Sequence, residues 1–286
     1  MNNIFYYVFI LPISYLPNKL LYLISSFFYP ILYKLLKYRR KIVRENLKKS
    51  FPEKSSEELL IVEQNFYKHF CDLLVESFKG FTISKDQSEK KIRIKNQELV
   101  DKYADNGRNV ILIGGHYNNW ELTAQRMPLV FKHDVYAIYK PLSNKFFDNK
   151  MRKSREKFGL KMIPMKTTKE YFTNVSDRPR AIIFGSDQSP SNAKKALWIN
   201  FLNQESAFLY GAEKYAKDFN WPVIYVSINK IKRGCYELEY KLITDSPNKE
   251  TYGNIISDFA KLLESDINNA PPYWLWTHKR WKKKKS

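Results

Sequence analysis

From about residue 96 the chain alternates two kinds of stretch, and this alternation restricts the fold more than any other feature. Short β-branched runs stand at "NVILIG" (109–114), "DVYAIYK" (134–140), "RAIIFGSD" (180–187) and "WPVIYVSINKI" (221–231). Such continuous apolar runs predict buried strands. "YELEYKLIT" (236–244) alternates instead, as a half-exposed strand does. Helical stretches fall between them: a polar one at 144–158, "SAFLYGAEKYAKDFN" (206–220) and "TYGNIISDFAKLLESDI" (251–267). Strands alternating with helices imply a layered α/β domain. Residues 42–80 precede it and read as helical, with Ser55 or Ser56 as a cap and Glu57 and Glu58 in the first turn. Leu59, Val62, Phe66, Phe70 and Leu73 recur at helical spacing there, and His69 reads as a structural or surface residue.

The N-terminus is of a different kind. Residues 4–36 are almost wholly apolar, with Lys19 and Lys34 the only charges. Pro12, Pro17 and Pro30 break or kink a straight helix, and the halves 4–17 and 20–33 are short against the roughly 20 residues a membrane span needs. A basic cluster, "KYRRK" (37–41), follows directly. One reading is a buried core hairpin. The other is an apolar helical membrane anchor, monotopic or a single kinked span, with its basic flank on anionic headgroups and the rest of the chain in the cytoplasm. The far end, "WLWTHKRWKKKKS" (274–286), interleaves tryptophans with lysines and reads as interfacial. The division that follows is residues 1–37 as anchor and 38–286 as one catalytic domain.

A formal net charge of +20 predicts an anionic partner: nucleic acid, an anionic bilayer or an acidic protein or substrate. No zinc-finger spacing or aromatic-basic RNA-binding motif is present, so nucleic acid is not expected. Cys71 and Cys235 lie far apart and form no disulfide framework.

The stretch "GGHYNNWE" (114–121) concentrates the chemistry. Gly114 ends a predicted strand, so His116 lies just past a strand tip, where α/β sheets build their sites. Asn118 or Asn119 is a good helix cap, with Glu121 then in the first turn. On one continuous helix, positions five apart differ by about 140° around the axis, so His116 and Glu121 would not face each other. With His116 in the loop and Glu121 in the helix, the loop can fold the imidazole over the carboxylate, which would fix its tautomer. Alternatively, Glu121 is only a capping acid and His116 a satisfied loop residue. A zinc site does not fit: the pattern is not His-Glu-x-x-His, and no cysteine or second histidine lies nearby.

"GGHYNNWE" resembles the His-x4-acid motif of membrane glycerolipid acyltransferases. In its "NWE" form it resembles the late acyltransferases of lipid A biosynthesis, the lauroyl/myristoyl transferase family. Other stretches match that family in order: "NLKKSFPEKS" (46–55), "YKP" (139–141), "RKSREKFG" (152–159), "GSDQSP" (185–190), "NFLNQESAF" (200–208) and "YWLWTHKRWK" (273–282). Lys140 stands where the family usually has Arg, and "FLN" where it has Phe-Phe-Gly. The resemblance implies a glycerolipid-acyltransferase-like fold, a mixed central sheet flanked by helices. It further implies transfer of an acyl chain from acyl carrier protein or acyl-CoA to a hydroxyl of a lipid A precursor or related lipid, with no metal or organic cofactor.

In those terms His116 is the general base and Glu121 its orienter. Direct attack without an acyl-enzyme is expected, because no serine or cysteine sits in a recognisable nucleophile elbow. Arg152 and Arg155 are candidates for holding a phosphate or the oxyanion, or else lie on a solvated helix face. Lys140 and Asp187 are further substrate contacts; a turn cap is the plainer role for Asp187. His278 packs between Trp276 and Trp281, or binds headgroups with Arg280. Two other classes compete: a non-catalytic basic membrane-binding protein, and a lipid hydrolase using the same base on water, which the lack of Gly-x-Ser-x-Gly disfavours. An aminolipid or lysophospholipid is the alternative acceptor.

Overall fold

A computed structural model describes residues 2–174, 176–192 and 196–285. In chain order its strands are β1 (Ile92–Ile94), β2 (Val110–Gly114), β3 (Asp134–Tyr139), β4 (Lys161–Pro164), β5 (Arg180–Gly185), β6 (Ala196–Phe201), β7 (Gln204–Leu209), β8 (Val223–Lys232) and β9 (Cys235–Thr244). Seven form one sheet in the order β1-β9-β8-β2-β5-β3-β4. Every pairing is parallel except β8 with β9, so the sheet is mixed, as expected. β2 is central and its side chains alternate between two cores: Ile111 and Ile113 join one, Val110 and Leu112 the other. Both faces are covered by helices, which is why the run carries no polar alternation.

The five expected strands are all present. β1 and β4 were not read from the sequence; at three and four residues they leave no periodicity to detect. The expected helix over 206–220 is corrected. Residues 206–209 belong to β7, and the helix is Gly211–Phe219. β6 and β7 form a hairpin whose turn residues Leu202 and Asn203 both have positive φ, 52° and 60°, as a type I′ turn requires. The "FLN" stretch is that turn.

Helix Ser56–Lys79 begins with a complete capping box between Ser55 and Glu58. The N-terminal helices lie along it. Pro17 separates Leu11–Tyr15 from Asn18–Pro30, whereas Pro12 follows a π-turn at Tyr6–Ile10 inside a continuing helix and Pro30 is followed by a π-turn at Ile31–Leu35. Among the described residues no single helix is long and apolar enough to cross a membrane; only the pair Asn18–Leu35 and Arg40–Ser50, bent by 87°, passes together. One side of the segment packs inward through Tyr6, Ile10, Leu21 and Tyr33. The other exposes Phe5, Val8, Phe9, Leu23, Phe27, Leu35 and Leu36.

A buried carboxylate fastens this segment to the sheet. Glu76 accepts from Tyr22 Oη at 2.6 Å, Asn119 Nδ2 at 2.6 Å and Tyr236 Oη at 2.8 Å. Burial pushes its pKa up, and these donors only partly hold it down. One side chain thus joins the N-terminal segment, helix Ser56–Lys79, β9 and the loop after β2. Glu76→Ala would leave three buried donors unpaired, so stability should fall by about 3 kcal/mol or more, with Glu76→Gln recovering part of it. Denaturant titration in detergent of both variants measures this; an Ala variant as stable as the parent would refute the role.

Candidate active site

The parallel register pairs Gly114 of β2 with Gly185 of β5. Both strands therefore end at one level, and the residue two positions beyond each tip is His116 on one and Asp187 on the other. They meet. His116 Nδ1 lies 2.6 Å from Asp187 Oδ1, and the backbone N–H of His116 donates to Asp187 Oδ2 at 2.9 Å. A third donor comes from the C-terminal segment, where Trp274 Nε1 donates to the same Oδ2 at 2.8 Å. That segment crosses the loop, with the Leu275 N–H on the His116 carbonyl. Gly185 has no room to spare: a Cβ there would stand 3.2 Å from His116 Cε1.

The electrostatics follow. Burial alone would lower the imidazole's proton affinity, but the charge and hydrogen bond of Asp187 outweigh it, and the His116 pKa ends above 6.5. For Asp187, burial would raise the pKa; the imidazole, two N–H donors and the opposite charge pull it down to about 2. A carboxylate this deeply buried stays ionised only because its neighbours compensate it. With a proton on Nδ1 toward Asp187, Nε2 is left as the basic nitrogen. The Gln188 amide nitrogen lies 3.2 Å from it.

The expected pairing of Glu121 with His116 is corrected. Asn119 caps helix Trp120–Arg126, accepting from the Leu122 N–H at 3.0 Å, so Glu121 is in the first turn as read. Its carboxylate, however, is bound by a fork from Arg155, Nε to Oε2 at 2.8 Å and Nη2 to Oε1 at 2.5 Å. Glu121 faces helix Lys145–Glu156 rather than the imidazole, so the loop does not fold His116 over this carboxylate although His116 lies in the loop as expected. Asp187 is neither a turn cap nor an open contact but the buried partner of His116.

His116, Glu121, Arg155, Lys140 and Gln188 all line one cavity of about 610 Å³. The rest of its wall is mainly apolar and includes Phe81, Met127, Leu160, Met162, Phe184 and Ile10 of the N-terminal segment. Arg152 lies apart, exposed and paired with Glu156 at 3.4 Å.

The C-terminal reading is corrected too. Trp274 and Trp276 are buried rather than interfacial, because each indole N–H has an internal acceptor, Asp187 for one and the Pro271 carbonyl for the other, 2.7 Å away. His278 does more than pack: its Nε2 accepts the Ser189 N–H at 3.0 Å, and burial lowers its pKa to about 4, keeping the nitrogen free to accept. Arg280 is buried over the Phe208 ring, 4.3 Å from its centre, and donates to the Ala207 carbonyl. It therefore meets no headgroup.

Sequence reasoning missed Trp274 and Gln188 as site residues. A usable signal was present for Asp187: "GGH" and "GSD" each carry a polar residue two places after a strand-ending glycine.

The family model described as bacterial lipid A biosynthesis acyltransferase matches residues 2–283. The chain is 23% identical over 252 residues to the lipid A biosynthesis palmitoleoyltransferase of Escherichia coli strain K12, covering 86% of this chain and 80% of that protein. Against the lipid A biosynthesis lauroyltransferase of the same organism it is 22% identical over 283 residues, 94% of this chain and 91% of the relative. The chain belongs to the bacterial lipid A biosynthesis acyltransferase family.

Proposed function

We propose that His116, oriented by Asp187, is the general base of an acyl transfer from an acyl thioester, on acyl carrier protein or coenzyme A, to a hydroxyl of a lipid A precursor. The observation that carries this is the His116–Asp187 pair at the wall of a largely apolar cavity. Nε2 takes the proton of the acceptor hydroxyl, and the oxygen attacks the thioester carbonyl. The tetrahedral oxyanion collapses to the ester, and the departing thiolate takes the proton back from the imidazolium. Asp187 stabilises that imidazolium. Gln188, whose amide now faces Nε2, yields this position to the hydroxyl and donates to the oxyanion.

Glu121 has a different task in this scheme. It aims the Arg155 guanidinium into the cavity, where the nitrogen not engaged by the carboxylate meets a phosphate or the developing negative charge. Lys140, at the mouth after β3, adds a second cation. Arg152 is better placed to meet a phosphate outside the cavity than to touch the reacting atoms. The apolar wall holds the acyl chain.

Residues 1–37 act as the membrane-docking part, on the cytoplasmic face of the inner membrane. The exposed Leu35 and Leu36 run straight into Lys37–Lys41, and Arg39 donates to the Thr277 carbonyl at 3.0 Å, next to the C-terminal lysines. Apolar residues beside clustered cations suit an anionic bilayer surface. The net charge of +20 would also attract an acidic carrier protein.

His116→Ala should abolish transfer, measured with purified membranes and acyl donors, and His116→Gln, which keeps a polar partner beside Asp187, should do the same in protein shown to be folded; turnover comparable to the parent would sink the scheme. Asp187→Asn should lower kcat by about 100-fold or more. It should also move the acidic limb of the pH profile. The base works only when neutral, so activity is lost as pH falls through the His116 pKa, which Asp187 holds above 6.5; without that charge the limb shifts to lower pH. Replacing Leu23, Phe27 and Leu35 together by Glu should release the folded protein from membranes, read by sedimentation after a salt wash. Mass spectrometry of lipids from cells with and without the active protein names the acceptor, and accumulation of free fatty acid alone would favour hydrolysis.

A further inference from the structure

The two strands β8 and β9 extend beyond the rest of the sheet. β8 pairs with β2 only through Tyr225 and then continues to Lys232 beside β9 alone. Between this overhang, helix Ser56–Lys79 and helix Asn18–Pro30 lies a second cavity of about 620 Å³, which shares no lining residue with the cavity at His116.

Its chemistry is one-sided. Four cations, Lys68, Lys230, Lys232 and Arg233, line it against one carboxylate, Asp72. That carboxylate is already satisfied: Arg233 reaches it by Nε at 2.9 Å and Nη2 at 2.6 Å, and Ser25 Oγ donates to it at 2.6 Å. Among the described residues, Lys68, Lys230 and Lys232 form no ion pair. His69 completes the arrangement. It is 2% exposed, and the Lys230 ammonium stands 3.2 Å from its Nδ1. An ammonium has only donors, so Nδ1 accepts and the ring is neutral with its proton on Nε2. Nε2 has no hydrogen-bond partner. Nε2 is sealed from the cavity, so the ring serves it through Nδ1, which holds the Lys230 ammonium in the wall beside Lys68 and Lys232.

We propose that this cavity is a second ligand site, taking a phosphate group of the kind a phospholipid headgroup carries, with Lys68, Lys230 and Lys232 as donors and His69 as the ring that positions Lys230 and reports on the site. The site lies where such a group would be met. Ser25 and Ser26 form its wall on the same helix that exposes Leu23 and Phe27. If that apolar side rests in a bilayer, the cavity stands at headgroup level. The site itself does not depend on His116 being a catalytic base.

The test uses the full chain in neutral detergent with nitrogen-labelled imidazoles, since only four histidines need assignment. Inorganic phosphate, short-chain phosphatidic acid and short-chain phosphatidylcholine are titrated separately while the His69 Nδ1 resonance is followed. Saturable movement with phosphatidic acid but not with inorganic phosphate supports the site with a lipid as its source. Movement with inorganic phosphate supports it with free phosphate as a sufficient ligand. Lys68→Gln with Lys232→Gln, both at exposed positions, should weaken the titration at least about tenfold, the size of one charge-assisted hydrogen bond, without unfolding the chain. A His69 resonance that moves with neither anion, moves equally with phosphatidylcholine, or titrates unchanged in the folded double variant overturns the proposal. Loss of acyl transfer in His116→Ala with this titration intact would separate the two sites.

Discussion

The site depends on a single alignment, the parallel register that sets Gly114 opposite Gly185. Parallel strands carry evenly spaced hydrogen bonds, so equal offsets beyond paired residues stay at one height. His116 and Asp187 are both two residues past the pair. Sliding β5 by one residue would turn every side chain to the opposite face and separate them. The glycines are part of the same constraint. Gly185 leaves room for the imidazole, and a Cβ on Gly115 would stand 2.8 Å from Leu263 in the core. The C-terminal segment locks the result by adding the Trp274 indole to Asp187 and the Leu275 N–H to the His116 carbonyl.

This explains what could be read from the sequence and what could not. The long apolar strands and the amphipathic helices carry local periodicity, so their positions were legible, as was the division of "GGHYNNWE" into loop and helix. With His116 outside the helix, helix geometry leaves the direction of Glu121 open, and the expected contact with the imidazole is not made. Nor can that geometry state what Glu121 meets, because Arg155 comes from a helix that follows a different strand. Likewise the partner of His116 depends on β5 lying next to β2, a fact about strand order that no local pattern contains. The tryptophans of the tail illustrate the converse error. Trp beside Lys suits an interface in composition, but an indole whose N–H finds an internal acceptor is at home in a core.

The N-terminal segment is tied to both sides of the cavity at His116. On one side, Tyr22 shares Glu76 with Asn119, the cap of the helix that carries Glu121. On the other, Tyr6 packs edge-on to Phe146 with ring centres 5.7 Å apart, and Lys150 donates to Tyr7 Oη at 2.9 Å. Phe146 and Lys150 belong to helix Lys145–Glu156, which supplies Arg155. Any displacement of the segment is therefore felt at both members of the Glu121–Arg155 pair.

That arrangement bears on how an amphiphile would reach the imidazole. Ile10 is itself part of the cavity wall, while its neighbours Val8 and Phe9 face outward. An acyl chain moving from a bilayer into the cavity would slide along the segment without crossing water, and the hydrophobic gain of leaving solvent would already have been made in the membrane. Selection among lipids then cannot come from burying the chain, which costs or gains little between two apolar phases. It has to come from the polar end, where Arg155 and Lys140 offer charge that the bilayer core does not. If the acceptor is held beside His116 as proposed, the cations would select it more than the apolar wall does, and the Glu121 carboxylate would matter because it fixes the direction of Arg155.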